Sequence, residues 1–451
     1  MTIENKMLIR QQRVAVQNYP LMNPKIVVSN LYKYLELEQE TAEKIQIPLY
    51  IHVPFCINIC NFCIYNRELL SKNYDLLDQY IDALIKEIRL YGETSYVKSS
   101  AIGAIFFGGG TPTCIPADGF EKILRTCRQY LPLADKVEIT VECNVINANY
   151  EKLLILKDLG VNRISTGVQT LNEQYRKLMG LQTTAKHVSE WIDQVKRIGF
   201  DVTSIDMLYG LPGQSIEEWN YDLNEALKLE VDHLSIYELC VLAGSKLYSN
   251  LTKKGLPILI DQEKSIQMYM EADRILKENG YLHHIVPEYN RIGKKAKFWE
   301  LCYKGYGDNL SLGTSSYGFM NGVNYQNISN IKNYIKEVGE GQLPIQLVSN
   351  KATEIQLRER AIVLGFRRRY VEKESFYKKF GCSIRAVFPN VIDKLLALKL
   401  VVEDEKYYSL TTLGEYLQGD ISIMFMESTF KNVSASKKKL ALGNHIVPEV
   451  F

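Results

Sequence analysis

The chain has 451 residues with 54 Lys and Arg against 52 Asp and Glu, a net charge of +2, and so lacks the basic excess of a dedicated nucleic-acid binder. Its length fits one large domain with a smaller appendage, and a 46% hydrophobic content can fill a sizeable core. No stretch approaches about 18 consecutive apolar residues, and the opening MTIENKMLIRQQRVAVQNYP has no apolar run behind its basic residues, so a cytoplasmic protein with neither signal peptide nor membrane span is expected.

Residues 1–47 mix polar and apolar residues without a steady period, contain Pro20 and Pro24, and are expected to form an arm laid over the body. From residue 48 to about 280, short β-rich runs alternate with amphipathic stretches. PLYIHV, AIGAIFFGG, VEITVE, NRISTGV, DVTSIDMLYG and DHLSIYEL read as strands, and LLDQYIDALIKEIRLYG and SEWIDQVKRIGF as two of the intervening helices. Repeated strand-then-helix units imply a parallel sheet, and the length fits an α/β fold of the open, partial TIM type, a (β/α)6 barrel. Residues 281–350 change to YLHHIVPEYNR and a Gly-, Ser- and Tyr-rich region, expected to add strands that close the open side and to contribute substrate contacts. Residues 351–425 read helix, short helix, a long helix over SIRAVFPNVIDKLLALK, a hairpin over LVVEDEKYYSLT and a last helix on LGEYLQ. That is a winged-helix-like α+β order. Near-neutral charge favours a structural cap over a DNA reader, and residues 426–451, with Lys437, Lys438 and Lys439, read as a solvated tail.

Nine cysteines are an odd number, and three of them cluster, which argues for reduced thiols in a metal site rather than a disulfide framework. Cys56, Cys60 and Cys63 stand in PFCINICNFC, in the loop after the first barrel strand. A closed zinc site needs a fourth ligand, and the nearest candidates, His52 and Cys114, lie on the preceding strand and past a glycine loop. An iron–sulfur cluster on three thiolates instead leaves one iron open to an external molecule. Cys114, Cys127, Cys143, Cys302 and Cys382 have no partner spacing and read as ordinary thiols.

PFCxxxCxFC followed by FFGGGTPT resembles the radical S-adenosylmethionine (SAM) enzymes, specifically the HemN-like branch of oxygen-independent coproporphyrinogen III oxidases. YIHVPFC, FFGGGTPT, ITVECN, RISTGVQTLNEQ, IDMLYGLPGQ and HLSIYEL resemble that branch's segments in order over about residues 48–320. The resemblance implies a [4Fe–4S] cluster on Cys56, Cys60 and Cys63 and an electron donor such as flavodoxin or ferredoxin. It implies SAM contacts from Tyr50, Phe62, Gly109, Gly110, Thr111 and Glu142, and contacts to a second SAM from Gln169, Asp206 and Cys240. Independently of it, Glu142, Gln169 and Asp206 end successive predicted strands, the face where barrel sites assemble. A buried core tyrosine at position 50, helix capping by Glu142 or Asp206, and a merely packed Cys240 remain open readings.

The family pattern is broken at four places, the last of them SLGTSSYGFMNG (residues 311–322), which departs from the usual glycine- and histidine-containing version. Tyr65 stands where coproporphyrinogen oxidases have a further cysteine, Leu181 where they have an arginine, and KKAKFW (residues 294–299) where heme-chaperone relatives carry H-N-x-x-Y-W. The combination looks most like the class C radical SAM methyltransferases, which implies two SAM molecules and alkylation of an aromatic, heteroaromatic or tetrapyrrole substrate. Oxidative decarboxylation of coproporphyrinogen III and a heme-binding chaperone are the alternatives. Tyr303, Tyr306, Tyr317 and Tyr325 are candidates to line a pocket for a flat substrate.

Overall fold

The computed structural model describes residues 19–20, 30–37, 44–304 and 307–426. Most of the expected arm, Tyr306 and the tail with Lys437, Lys438 and Lys439 lie outside the described residues. Among the described residues no helix is long and apolar enough to cross a membrane.

Six strands form where the β-rich runs predict them: β1 (Gln46–Val53), β2 (Ala101–Gly109), β3 (Leu133–Cys143), β4 (Arg163–Gln169), β5 (Val202–Tyr209) and β6 (His233–Glu238). They pair in parallel and in sequence, so each crossover carries at least one helix back across the outer face. Side chains alternate between the two faces. Leu49, Ile51, Ile105 and Phe107 point outward into the main core under the helices. Their neighbours Tyr50, Ala104 and Phe106 point inward, into a second cluster with Phe298, Trp299 and Tyr303.

Residues after 280 add to both edges of this sheet rather than bridging them. A hairpin of β7 (Leu282–Ile285) and β8 (Glu288–Asn290) pairs antiparallel with β6, and β9 (Leu310–Leu312) pairs in parallel with β1. The result is a nine-stranded sheet in the order β9-β1-β2-β3-β4-β5-β6-β8-β7. The helix Lys297–Tyr303 fills the inside of the barrel. The Glu138 carboxylate accepts the N–H groups of Lys297 and Phe298 at 3.1 and 3.0 Å, satisfying donors that the helix cannot.

The C-terminal unit is a small α+β domain with one strand more and two helix breaks more than its sequence suggests, the last helix being Thr412–Tyr416 followed by Gln418–Met424. The SIRAVFPNVIDKLLALK stretch is not one helix but two, Ile384–Val387 and Pro389–Ala397, with Phe388 between them at φ −127°. Pro389 disfavours helical backbone at Phe388 and suits the first position of a new helix. The hairpin Val401–Glu403 and Tyr407–Leu410 is joined by a third strand, Tyr370–Glu372.

This domain is clamped to the barrel by buried charge. Glu415 pairs with Arg369, and its other oxygen lies 3.1 Å from Nδ1 of His283 on β7, while Asp273 pairs with Lys277 and lies 3.5 Å from the same nitrogen. The Glu415 carboxyl is held below its ordinary value because His283 and Arg369 outweigh the penalty of burial. Glu415→Gln is therefore expected to lower stability by about 2–3 kcal/mol, less than a fully buried pair because Arg369 keeps some water. Urea unfolding, with proteolysis near residue 350 as a local probe, measures it, and an unchanged midpoint would refute the clamp.

Candidate functional site

The three cysteines lie on a loop that is tied to the barrel at several points. Just before it, Phe55–Cys56 forms a short parallel bridge with Glu68–Leu69, and Gly110 N–H donates to Val53 O at 2.8 Å and Thr111 N–H to Phe55 O at 2.7 Å. At its far end, Asn61 N–H donates to Met179 O at 2.8 Å, and the side chains of Asn61 and Asn58 donate to Leu178 O and Gly180 O at 2.8 and 3.0 Å. Arg67 donates to the carbonyls of Tyr65 and Cys63. The sequence singles out Gly110 and Thr111 but not Asn58, Asn61 and Arg67, since nothing except proximity to the cysteines marks those three.

The loop roofs a cavity of about 1110 Å3, counting its open mouth, at the carboxy-terminal rim of the barrel. Cys56, Cys60, Cys63, Phe62, Gly109, Gly110, Thr111, Glu142, Gln169 and Asp206 all line it, so ten of the predicted positions converge from five chain segments. Tyr50 and Cys240 do not line it. Tyr50 is buried in the inner aromatic cluster with its hydroxyl 3.1 Å from Nδ1 of His52, and Cys240 is half-buried beyond the end of β6. Asp206 departs from its expected place at a strand end. It is the fifth of eight residues in β5, and so sits one layer deeper in the barrel than Gln169.

The described tyrosines among those proposed as a pocket lining are elsewhere. Tyr303 stacks on Trp299 inside the barrel, Tyr317 and Tyr325 belong to the small antiparallel sheet, and Tyr325 accepts the Ser311 N–H at 2.8 Å. The aromatic residues lining the cavity are Phe62 and Tyr65. Both positions where the family pattern breaks close to the cysteines, Tyr65 and Leu181, are in the wall. Arg176 also reaches it but does not replace a missing arginine, because its guanidinium donates to Thr170 O, Val168 O, Thr183 O and Thr183 Oγ1. The third break lies far off: Lys294 pairs with Asp232 at 3.5 Å, at the residue before β6 and hence at the opposite rim.

The donor set fits an iron–sulfur cluster better than a single ion. Among the described residues, the group of His, Cys, Asp and Glu whose ligand atoms lie within 4.8 Å of one another is Asp273, His283 and Glu415, not the three cysteines. The sulfurs are thus spread too widely for one tetrahedral zinc. Burial pushes the thiols up, Cys56 to about 11 and Cys60 to about 12, and Cys60 is pushed further by the other two cysteines. One buried and two half-buried thiols that repel one another as anions are relieved by a cationic centre. The Thr111 hydroxyl is directed at the Cys56 sulfur, 3.6 Å away.

Below the cysteines the cavity floor is acidic. Burial raises Glu142 well above the ordinary carboxylate range, with repulsion from Asp206 adding to it, and raises Asp206 to about 7. A cationic sulfonium compound would relieve both. Gln169 is held at φ 68°, a left-handed conformation that a non-glycine residue rarely adopts, and its buried Oε1 has no hydrogen-bond partner. Backbone strain of this kind costs about 1–3 kcal/mol, and an unpaired buried acceptor adds to it, so packing alone does not account for Gln169.

The raised carboxyls have a consequence for stability. Asp206, Glu288 and Glu87 are each raised to about 7, so each favours the fold while protonated and loses that contribution as pH rises through about 7. Buried His52, lowered to about 4, acts in the opposite sense, but as one group against three. The thermal midpoint of the cofactor-free protein is expected to fall between about pH 5 and pH 8. A calorimetric series that rose over that interval would contradict these assignments.

This fold and this cavity define a radical SAM protein. Residues 50–226 match the radical SAM superfamily model, and residues 352–417 match the HemN C-terminal domain. The heme chaperone HemW of Bacillus subtilis is 31% identical over 379 residues, 84% of this chain and 98% of that protein. The anaerobilin synthase of Escherichia coli O157:H7 is 29% identical over 317 residues, 70% of this chain and 71% of that one. Among solved structures, coproporphyrinogen III oxidase (HemN) of Escherichia coli superposes with a TM-score of 0.77 at 21% identity, over 91% of this chain and 96% of that one. The chain belongs to the HemN-like branch of the radical SAM superfamily. Its cofactors are those of the superfamily, a [4Fe–4S] cluster and SAM.

Proposed function

We propose that this enzyme generates a radical from SAM and alkylates, in the simplest case methylates, an sp2 carbon of a flat aromatic, heteroaromatic or tetrapyrrole substrate. When bound, the cluster and SAM supply a 5′-deoxyadenosyl radical, using one electron from a donor such as flavodoxin or ferredoxin. Cys56, Cys60 and Cys63 hold the cluster. Gly109, Gly110 and Thr111 bring backbone close to the first SAM, Phe62 packs near its adenine and Glu142 offsets its positive charge. Gln169 and Asp206 serve a second SAM, whose methyl group is the one transferred.

The observation that carries this reading is the changed wall of a cavity that ten of the expected site residues line. Tyr65 and Leu181 line the cavity in place of a cysteine and an arginine, and Arg176 is committed to backbone, so the wall has lost a cation suited to a substrate carboxylate. Decarboxylation of a propionate is disfavoured by that loss. The tetrapyrrole part of the reading is supported by the names of the relatives, a heme chaperone and an anaerobilin synthase. Anaerobic reconstitution followed by dithionite and SAM tests it, with mass spectrometry for two products. 5′-Deoxyadenosine together with S-adenosylhomocysteine is the expected outcome with a tetrapyrrole present, and CO2 release without S-adenosylhomocysteine would sink it.

A second reading, a heme-binding carrier, is favoured by the coverage of the HemW relative. Against it, the position corresponding to the histidine of H-N-x-x-Y-W is Lys294, at the rim opposite the cavity. A stable Soret band on heme titration without SAM consumption supports the carrier.

A further inference from the structure

Beneath the cavity the barrel holds a second, enclosed space with room for about one water molecule. Glu142 and Asp206 line both spaces. The lower one is otherwise walled by Phe106 and Trp299 on one side and by serines, Arg163, His233 and Glu288 on the other. None of the last three enters the site described above, and none was picked out from the sequence.

Strand register explains why they meet. Asp206 on β5 stands opposite Ser235 on β6, and Ser235 stands opposite Glu288 on β8, so the three form one row across adjacent strands. The Ser235 hydroxyl is close enough to Asp206 to pull its carboxyl down, against the larger effect of burial. Below this row, His233 Nε2 lies 3.3 Å from Glu288 Oε2, and Arg163 is in contact with His233 Nδ1. Glu288 is 4% exposed, and it is there because the β7–β8 hairpin folds back antiparallel on the last barrel strand. A carboxylate placed so deep needs a reason, since burying a charge without full pairing is costly.

We infer that Glu288 is a proton-exchanging partner of Asp206, connected through Ser235 and the enclosed space, and that it relays the proton that the reaction removes from substrate carbon. This rests on the proposed alkylation. When an sp2 carbon gains a substituent, the hydrogen it carried must leave. Asp206 accepts it as a proton, breaking the C–H bond and forming O–H while the electron pair stays with the substrate skeleton. Asp206 then protonates Glu288 and is restored as carboxylate, with no change of oxidation state in either step. Because 5′-deoxyadenosine carries off one hydrogen of the transferred methyl group, this proton is later returned, with a second electron from the same donor, to the transferred carbon as its bond to sulfur breaks and S-adenosylhomocysteine leaves. Asp206 lines the reaction cavity, whereas Glu288 acts through it and is a positioning residue.

The charged surroundings suit a group that exchanges its proton near neutrality. Arg163 on β4, Arg367 of the C-terminal domain, and His284 and His283 on β7 draw Glu288 down. Asp206 on β5 repels Glu288, and Tyr237 on β6 and Tyr303 lie beside it. Burial outweighs these pulls and raises both Glu288 and Asp206 to about 7.

Infrared difference spectroscopy of the cofactor-free and the cluster-loaded chain, titrated across neutral pH, tests this without turnover. Wild type is expected to lose three acid carbonyl bands near pH 7, those of Asp206, Glu288 and Glu87. Glu288→Gln should remove one of them, move the Asp206 band down by about one pH unit once the neighbouring charge is gone, and leave the Glu87 band where it was. In turnover, Glu288→Gln should keep 5′-deoxyadenosine formation while alkylated product at pH 7 falls about tenfold or more, and Glu288→Asp should recover part of it. Circular dichroism checks that both variants fold. A carbonyl titration identical in wild type and Glu288→Gln overturns the relay, as does a product pH profile that the substitution leaves unmoved. Wild type that forms 5′-deoxyadenosine but never S-adenosylhomocysteine overturns the alkylation reading, while the infrared result still decides whether Asp206 and Glu288 exchange a proton.

Discussion

Cys56→Ala is expected to abolish both the visible absorbance of the reconstituted cluster and all 5′-deoxyadenosine formation, with the fold kept. Cys56 is 7% exposed and small, so its replacement by alanine perturbs packing little. Its chemical loss is complete, because the two remaining thiolates leave one more iron of the cluster without a protein ligand. Cys143 also lines the cavity, and Cys114 lies close enough to Cys56 for their charges to interact, so rescue by a neighbouring thiol is the competing outcome to look for. Iron content, absorbance and nucleoside analysis on one anaerobic preparation separate the cases. Undiminished 5′-deoxyadenosine in Cys56→Ala would remove the cluster assignment on which the proposed function stands.

Gly109→Ala is expected to have the next largest effect, and a different signature. Gly109 has φ +112°, and a Cβ there would lie 2.6 Å from Cε1 of His52. The ring has little room to move. It is 6% exposed, with the Tyr50 hydroxyl 3.1 Å from Nδ1 and Asn66 O 3.4 Å from Nε2. The backbone must shift instead, and it is this backbone that the proposed function brings against SAM. Since a displacement of about 1 Å costs on the order of 100-fold in a positioned reaction, 5′-deoxyadenosine formation should fall about that much while cluster absorbance is retained. SAM affinity, followed by the change it causes in the electron paramagnetic resonance of the reduced cluster, should weaken in parallel. Wild-type affinity in Gly109→Ala would mean that the glycine run is only a turn.

The site was far more legible in the sequence than its supports. Cys56, Cys60, Cys63, Gly109, Gly110, Glu142 and Gln169 are readable because a short-range rule fixes each: a spacing within one loop, or the end of a strand whose length its apolar run announces. Asp206 shows where that rule fails. Its strand continues for three residues past it, and the difference of one layer turns a rim residue into one shared by two cavities. Arg67, Asn58 and Asn61 carry no pattern, since their value lies in carbonyls of Tyr65, Cys63, Gly180 and Leu178 that happen to come within reach. The tyrosines failed for the opposite reason. Tyr317 and Tyr325 look available in a Gly-, Ser- and Tyr-rich segment, yet that segment pairs as antiparallel strands and commits the Tyr325 hydroxyl to Ser311.

What the sequence alone determined was the local and the periodic. Runs of apolar residues specified six parallel strands, amphipathic stretches specified the helices between them, and the C-x3-C-x2-C loop with its glycine turn specified the chemistry at their carboxy-terminal ends. Tertiary structure decided the elements too short to carry a period: the strands β8, β9 and Tyr370–Glu372, each of three residues, form only because an edge of a finished sheet offers them partners. It also decided that Glu288 would share a row with Asp206, residues 82 positions apart in sequence whose meeting depends on the register of three strands at once. Backbone propensity acts over a few neighbouring residues, whereas register and edge pairing are settled only when the whole sheet has assembled.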